Sequence, residues 1–171
     1  MQEAELFVEL HPCDCGQGTE PDFSLVKRDG QLIAIYEGGC PGCDQERRFE
    51  FLIPERTTRG AAYGGAEPSS IIDAGEFLWY SDRAAERAQL PSVAIDETDL
   101  ARARSALEVA LAALDEVGKF LPPGADILPR EAIPSELGKA VYDANPDRFE
   151  RERLAYRKQL LQDAQSQLVR Q

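Results

Sequence analysis

Two rhythms of apolar residues divide the chain. In FSLVKRDGQLIAIY, Phe23, Leu25 and Lys27 alternate with Ser24, Val26 and Arg28, the period of two that belongs to a β-strand. Asp29-Gly30 supplies the two residues with positive φ that a two-residue hairpin turn requires, and Leu32 to Tyr36 form the returning strand. RRFEFLIP alternates again, with Phe49 and Phe51 on one face, and completes a small three-stranded antiparallel sheet. HPCDCG precedes this sheet and CPGC joins its later strands, so a cysteine turn is expected at each end of the hairpin's long axis.

PERTTRGAAYGGAEP, from Pro54 to Pro68, has the glycines and prolines of a loop. Beyond it the apolar period lengthens to about 3.6. Asp73 caps a helix through AGEFLWYSDRAAERA, with Phe77, Leu78, Ala84 and Ala85 on its apolar side and Trp79 and Tyr80 widening it. Asp96 opens a longer helix, in which Leu100, Leu107, Leu111, Leu114 and Leu121 form a stripe beside Ala103, Ala110 and Val117. Asp96, Glu97 and Asp99 place negative charge on the positive end of that helix, and PPG at 122–124 stops it. Ser135 caps a shorter helix that ends ahead of Pro146, and a last one carries Phe149, Leu154, Leu161, Ala164 and Leu168 between Arg and Lys residues. The pattern is α+β and not alternating βαβ: a β module over residues 1–54, a junction loop over 55–72, and a helical domain over 73–171. The stretch from Tyr63 to Glu76 reads either as a binding loop or, the favoured reading, as a packing junction docked through Ile71, Ile72, Phe77 and Trp79.

Composition adds a globular chain of 171 residues, 43% hydrophobic and 29% charged, with no apolar run near the ~18 residues of a membrane span. MQEAELFVEL is acidic and has neither a basic leader nor a cleavage site, so the expected address is cytoplasmic. In a reducing compartment paired cysteines are metal ligands more often than disulfides.

The four cysteines, Cys13, Cys15, Cys40 and Cys43, fall in two tight pairs. Two cysteines on one turn supply two adjacent corners of a tetrahedral Zn²⁺ site, and Pro41 and Gly42 suit the turn that points both sulfurs the same way. Over residues 11–53, two cysteine turns on a three-stranded sheet resemble a zinc ribbon. One departure is Cys13-Asp14-Cys15, where a ribbon has two intervening residues. His11, the only histidine, lies two residues before Cys13 and is a candidate replacement ligand, although a lone histidine beside a turn is more often simply hydrogen-bonded. A thioredoxin-like redox centre would need CPGC to open a helix, and DQERRFEF after it reads as a strand. A closed four-thiolate site points to structure, with Zn²⁺ as the expected cofactor.

Candidate chemistry elsewhere is sparse. With one histidine a Ser-His-Asp or Cys-His arrangement is not expected, and no GxGxxG, Walker lysine loop or HExxH occurs, so the expectation is not an enzyme. The ribbon together with GGAEPS, IIDAGEFLW and the helices resembles bacterial proteins to which no catalytic residues are assigned. Net charge is −12, and residues 1–54 carry eleven Asp/Glu against four Lys/Arg, the wrong sign for phosphate backbones. The expected partner is therefore a basic protein, met through Asp14, Glu20, Asp22, Glu37, Asp44 and Glu46. In its sharpest form that describes an immunity protein neutralising a basic toxin domain that acts on nucleic acid. The alternative is a zinc-ribbon accessory or regulatory protein in transcription or translation.

Overall fold

The computed structural model describes residues 2–18, 20–53, 63–89 and 96–169. The chain gathers into two compact units, Met1–Arg59 and Gly60–Gln171. It is an α+β protein, with the sheet in the first unit and most of the helix in the second.

Strands β1 (Asp22–Arg28), β2 (Gln31–Gly39) and β3 (Glu46–Ile53) form an antiparallel sheet in that order. Asp29 (φ 52°) and Gly30 (φ 83°) make the hairpin turn with both central residues left-handed. The register places Phe23, Tyr36 and Phe49 in one cross-strand row and Leu25, Ala34 and Phe51 in the next. MQEAELFVEL, to which the pattern above assigns no element, contains a helix, α1 (Gln2–Leu10). Ala4 and Val8, one turn apart, pack with Ala34 and Tyr36 in a buried cluster that Phe49, Phe51 and Ile53 extend. Phe7 sets its ring edge-on to Phe49 and Phe51, at 5.8 and 5.4 Å. A helix this short is marginal alone, so packing on the sheet has to hold it.

The cysteine turns do not lie at opposite ends of the hairpin. Asp22, the first residue of β1, pairs with Glu37, and Gly39, the last of β2, pairs with Glu46. A hairpin brings the start of one strand beside the end of the next, so HPCDCG and CPGC meet at the end away from Asp29-Gly30.

The second unit holds α2 (Ala74–Arg87), α3 (Glu97–Lys119), α4 (Glu136–Ala144) and α5 (Arg151–Val169). Asp73 and Asp96 each close a capping box, and the Ser135 hydroxyl accepts the Gly138 N–H at the start of α4. α3 packs against α2 and α5, and α4 packs against α2. A buried Ser81 hydroxyl donates to the Ala110 carbonyl at 2.8 Å, tying α2 to α3. Of the junction loop, residues 55–62 lie outside the described residues. Tyr63 is buried with its ring 5.7 Å from Phe77, Ser69 Oγ accepts the N–H groups of Ile71 and Ile72, and Lys119 donates to the Gly65 carbonyl. Ile72 and Phe77 are buried and Trp79 is half-buried.

The buried stripe of α3 runs through Ala103, Leu107, Ala110, Leu114 and Val117, while Leu100, Leu111 and Leu121 are only half-buried at its margin. The face is therefore centred on the small residues, which let α2 and α5 approach. Leu111→Ala is accordingly expected to cost about 1–2 kcal/mol, below the ~2–5 kcal/mol of a fully buried leucine, with an unchanged urea m-value. A loss at the upper end would place Leu111 in the core after all.

Candidate metal centre

Two short turns build the centre, and each closes in the same way. In HPCDCGQ the Cys13 N–H donates to the Gln17 carbonyl at 3.0 Å, and in CPGCDQ the Cys40 N–H donates to the Gln45 carbonyl at 2.9 Å. The residue after the second cysteine is left-handed in both, Gly16 at φ 82° and Asp44 at φ 56°. That reversal lets the next N–H reach back to sulfur: Gln17 donates to Cys15 and Gln45 to Cys43. Cys40 receives the N–H groups of Gly42 and Cys43. The shorter Cys13-Asp14-Cys15 turn thus ends on the same geometry as the longer one. The two turns approach closely at Gly42, where a Cβ would stand 2.6 Å from Gln17 Cγ and 3.3 Å from Cys15 Sγ.

All four sulfurs lie within 4.8 Å of one another. Cys13 and Cys43 are 3.5 Å apart and Cys15 and Cys40 are 3.4 Å apart, each close pair taking one sulfur from each turn. These separations exceed the ~2.05 Å of a disulfide, and the cysteines are free. The two close pairs fall a little short of, and the 4.8 Å limit lies above, the ~3.8 Å edge of a tetrahedron whose centre is ~2.3 Å from each sulfur, the Zn–S distance. Cys13 and Cys40 are buried, Cys15 and Cys43 exposed. Four thiols at this spacing can hold one metal ion, and an all-sulfur tetrahedron is a donor set that suits Zn²⁺.

The acidities of the thiols agree with that use. The Gly42 N–H, with help from neighbouring thiols, lowers Cys40 to about 7. At Cys43 the Gln45 N–H pulls downward, but the thiols of Cys13, Cys15 and Cys40 and burial outweigh it and push the group up to about 12. Cys15 is raised in the same way, against the Gln17 N–H, by Cys40 and burial. Of these three thiols Cys40 ionises most readily, while Cys15 and Cys43 hold their protons more tightly than a free thiol. Zinc binds thiolates, so metal uptake releases protons.

His11 stands beside this centre and not in the sulfur cluster. Its Nδ1 hydrogen-bonds the Phe7 carbonyl at 2.7 Å and its ring stacks on Phe7 at 3.9 Å. Arg47 donates to the His11 carbonyl at 2.6 Å while lying over the Phe49 ring, which fastens the approach to Cys13 onto β3. Gln45 is a site residue that spacing alone does not reveal: Cys13 Sγ lies 3.3 Å from its side-chain oxygen. The signal was present in the repeated Cys-x-Gln of CGQ and CDQ, residues 15–17 and 43–45.

The expected partner-binding carboxylates are all exposed, and all stand at the cysteine end. Asp14 lies between two cysteines, Asp44 follows Cys43, Glu20 precedes β1, and Glu46 opens β3. Asp22 faces Glu37 across β1 and β2, and Glu37 in turn pairs with Arg48. Comparison of the chain with protein-family models, with curated proteins and with solved structures finds no match. The resemblance to bacterial proteins thus gains no support from a family match, whereas the zinc-ribbon-like module rests on the sulfur cluster and the sheet beside it.

Proposed function

We propose that the protein is a non-catalytic, cytoplasmic binding protein whose first unit is held by a structural Zn²⁺ and presents an acidic end to a basic protein partner. A four-thiolate site leaves no open position for water or substrate, which favours a structural metal over a catalytic one. The observation that carries the binding reading is the gathering of Asp14, Glu20, Asp22, Asp44 and Glu46 at one end of the sheet. Both described arginines at that end are engaged, Arg47 on the His11 carbonyl and Arg48 between Glu37 and Glu50. Lys27 and Arg28 stand at the opposite end, beside the hairpin turn. Such a predominantly negative surface steers a cationic protein toward it and repels polyanions. In its sharpest form the partner is a toxin domain that binds nucleic acid through a basic cleft, and the protein is its immunity factor.

Reversing Asp14, Asp22, Asp44 and Glu46 to Lys is expected to slow association with the basic partner by about tenfold or more at low salt. The difference should shrink toward ~0.15 M salt, where the screening length is about 8 Å. Pull-down from the source cell, followed by association kinetics on the recovered partner, makes the measurement. Equal recovery by both forms, or recovery of nucleic acid by the wild type, overturns the reading. The immunity form further requires that the protein block the nuclease activity of what it recovers.

A further inference from the structure

The helical unit carries a surface of the opposite sign. α5 turns Tyr156 and Leu160, one turn apart, into solvent, 62% and 49% exposed. Its core-facing stripe is Leu154, Leu161 and Leu168, so neither exposed side chain belongs to the packed face. Arg153, one turn before Tyr156, is 65% exposed and has Glu150 only at 3.9 Å. Arg148, from the 3₁₀ turn Pro146–Phe149, and Arg157 both reach the single carboxylate of Asp82, Arg148 at 2.6 Å. Two guanidinium groups thus share one carboxylate, which leaves the Arg148–Arg157 pair with a net positive charge. Arg148, Arg153, Tyr156, Arg157 and Leu160, with Asn145 and Asp147, line an open pocket of about 350 Å³. Residues 145–160 carry five Lys/Arg against three Asp/Glu in a chain of net charge −12.

We propose that this pocket docks a short acidic peptide segment of another protein. An apolar side chain of the segment packs over Tyr156 and Leu160, and adjoining carboxylates meet Arg153 and the Arg148–Arg157 pair. Tyrosine and arginine are the residues that concentrate binding energy at interfaces, and a guanidinium fork matches a carboxylate in two parallel hydrogen bonds. A nucleic-acid backbone suits the surface less well. Phosphate binding draws its strength from many uncompensated cations, whereas Asp82, Asp147, Glu150 and Glu152 are interleaved here and the rest of the chain repels a polyanion. Isolated carboxylates beside an apolar anchor fit a small cationic excess next to an exposed ring. The inference is independent of the acidic cysteine end and stands or falls separately.

The test is selection of a displayed library of random short peptides on the full-length protein. Recovered peptides should be enriched in Asp and Glu adjacent to Leu, Phe or Trp. Their affinity should fall about tenfold or more with Arg153→Glu and with the double change Tyr156→Ala and Leu160→Ala. Reversal of the carboxylates at the cysteine end should leave it unchanged. Because the three altered side chains are solvent-exposed, the variants should keep the wild-type circular dichroism and melting temperature, which separates docking from folding. No enrichment, enrichment of peptides without acidic residues, equal binding by the variants, or displacement of the peptides by single-stranded DNA would each overturn the proposal.

Discussion

Cys40→Ser is expected to unfold the first unit and leave the second standing. Cys40 is 1% exposed, and its sulfur draws together two backbone N–H groups and the sulfur of Cys15 from the other turn. A serine hydroxyl does not ionise at neutral pH and is a poor replacement for a thiolate on zinc. Losing it forfeits much of a binding free energy on the order of 10 kcal/mol for structural zinc. The unit has a small apolar core to draw on besides the metal: Ala4, Val8, Ala34 and Tyr36 with three half-buried neighbours, and the buried Leu6, Leu10 and Ile35. A unit as small as Met1–Arg59 buries only ~60% of the surface it exposes when unfolded. The wild type should therefore carry about one zinc per chain and the variant none. The amides of β1–β3 should lose hydrogen-exchange protection in the variant. The only tryptophan, Trp79, lies in the helical unit, so the urea transition seen by its fluorescence should survive the change. Metal-free wild-type protein with fully protected strands would defeat the structural-metal reading.

What the sequence disclosed and what it hid follow from how local each determinant is. The hairpin was legible because Asp29-Gly30 names its own turn type and the flanking residues alternate. The starts of α2, α3 and α4 were legible because Asp73, Asp96 and Ser135 act on the N–H three residues ahead, and all three do so. α1 was hidden because Ala4, Leu6, Val8 and Leu10 alternate like a strand, and the contact that makes them helical is with β2 and β3, about thirty and more than forty residues away in sequence. The four sulfurs were legible as a set from their spacing. Their meeting at one end of the sheet followed from hairpin geometry, and the equivalence of Gln17 with Gln45 was written in the repeated Cys-x-Gln, although the contact of the Gln45 side chain with Cys13 was not. Asp73 was legible only in part. As a cap it is local, but its second oxygen accepts the N–H of Ser135, 62 residues away, which no local pattern encodes.

That second bond makes Gly138→Ala the sharpest test of the helical unit, because two effects of opposite sign meet there. In an ordinary helix alanine is more favourable than glycine by about 1 kcal/mol. Gly118 in α3 has nothing within 4 Å of a built Cβ, so Gly118→Ala should stabilise by up to about that amount. Gly138 lies where α4 crosses the start of α2. A Cβ there would stand 2.8 Å from Asp73 Oδ2 and 2.7 Å from Ile133 Cγ2, and a Cβ on Gly75 would meet the Gly138 carbonyl oxygen at 2.6 Å. The carboxylate it displaces is 5% exposed and holds two helix starts at once, accepting from Glu76 N at 2.9 Å and Ser135 N at 2.8 Å. It is also where the positive ends of α2 and α4 converge on one negative charge. Overpacking costs roughly 1–3 kcal/mol, and disturbing charged, buried hydrogen bonds costs about as much again. Gly138→Ala should therefore lose about 3 kcal/mol or more despite the gain in helix propensity, read as a lower urea midpoint at Trp79 with an unchanged slope. If it matches or exceeds the wild type, as Gly118→Ala should, the close crossing of α2 and α4 on Asp73 is not what holds the unit together.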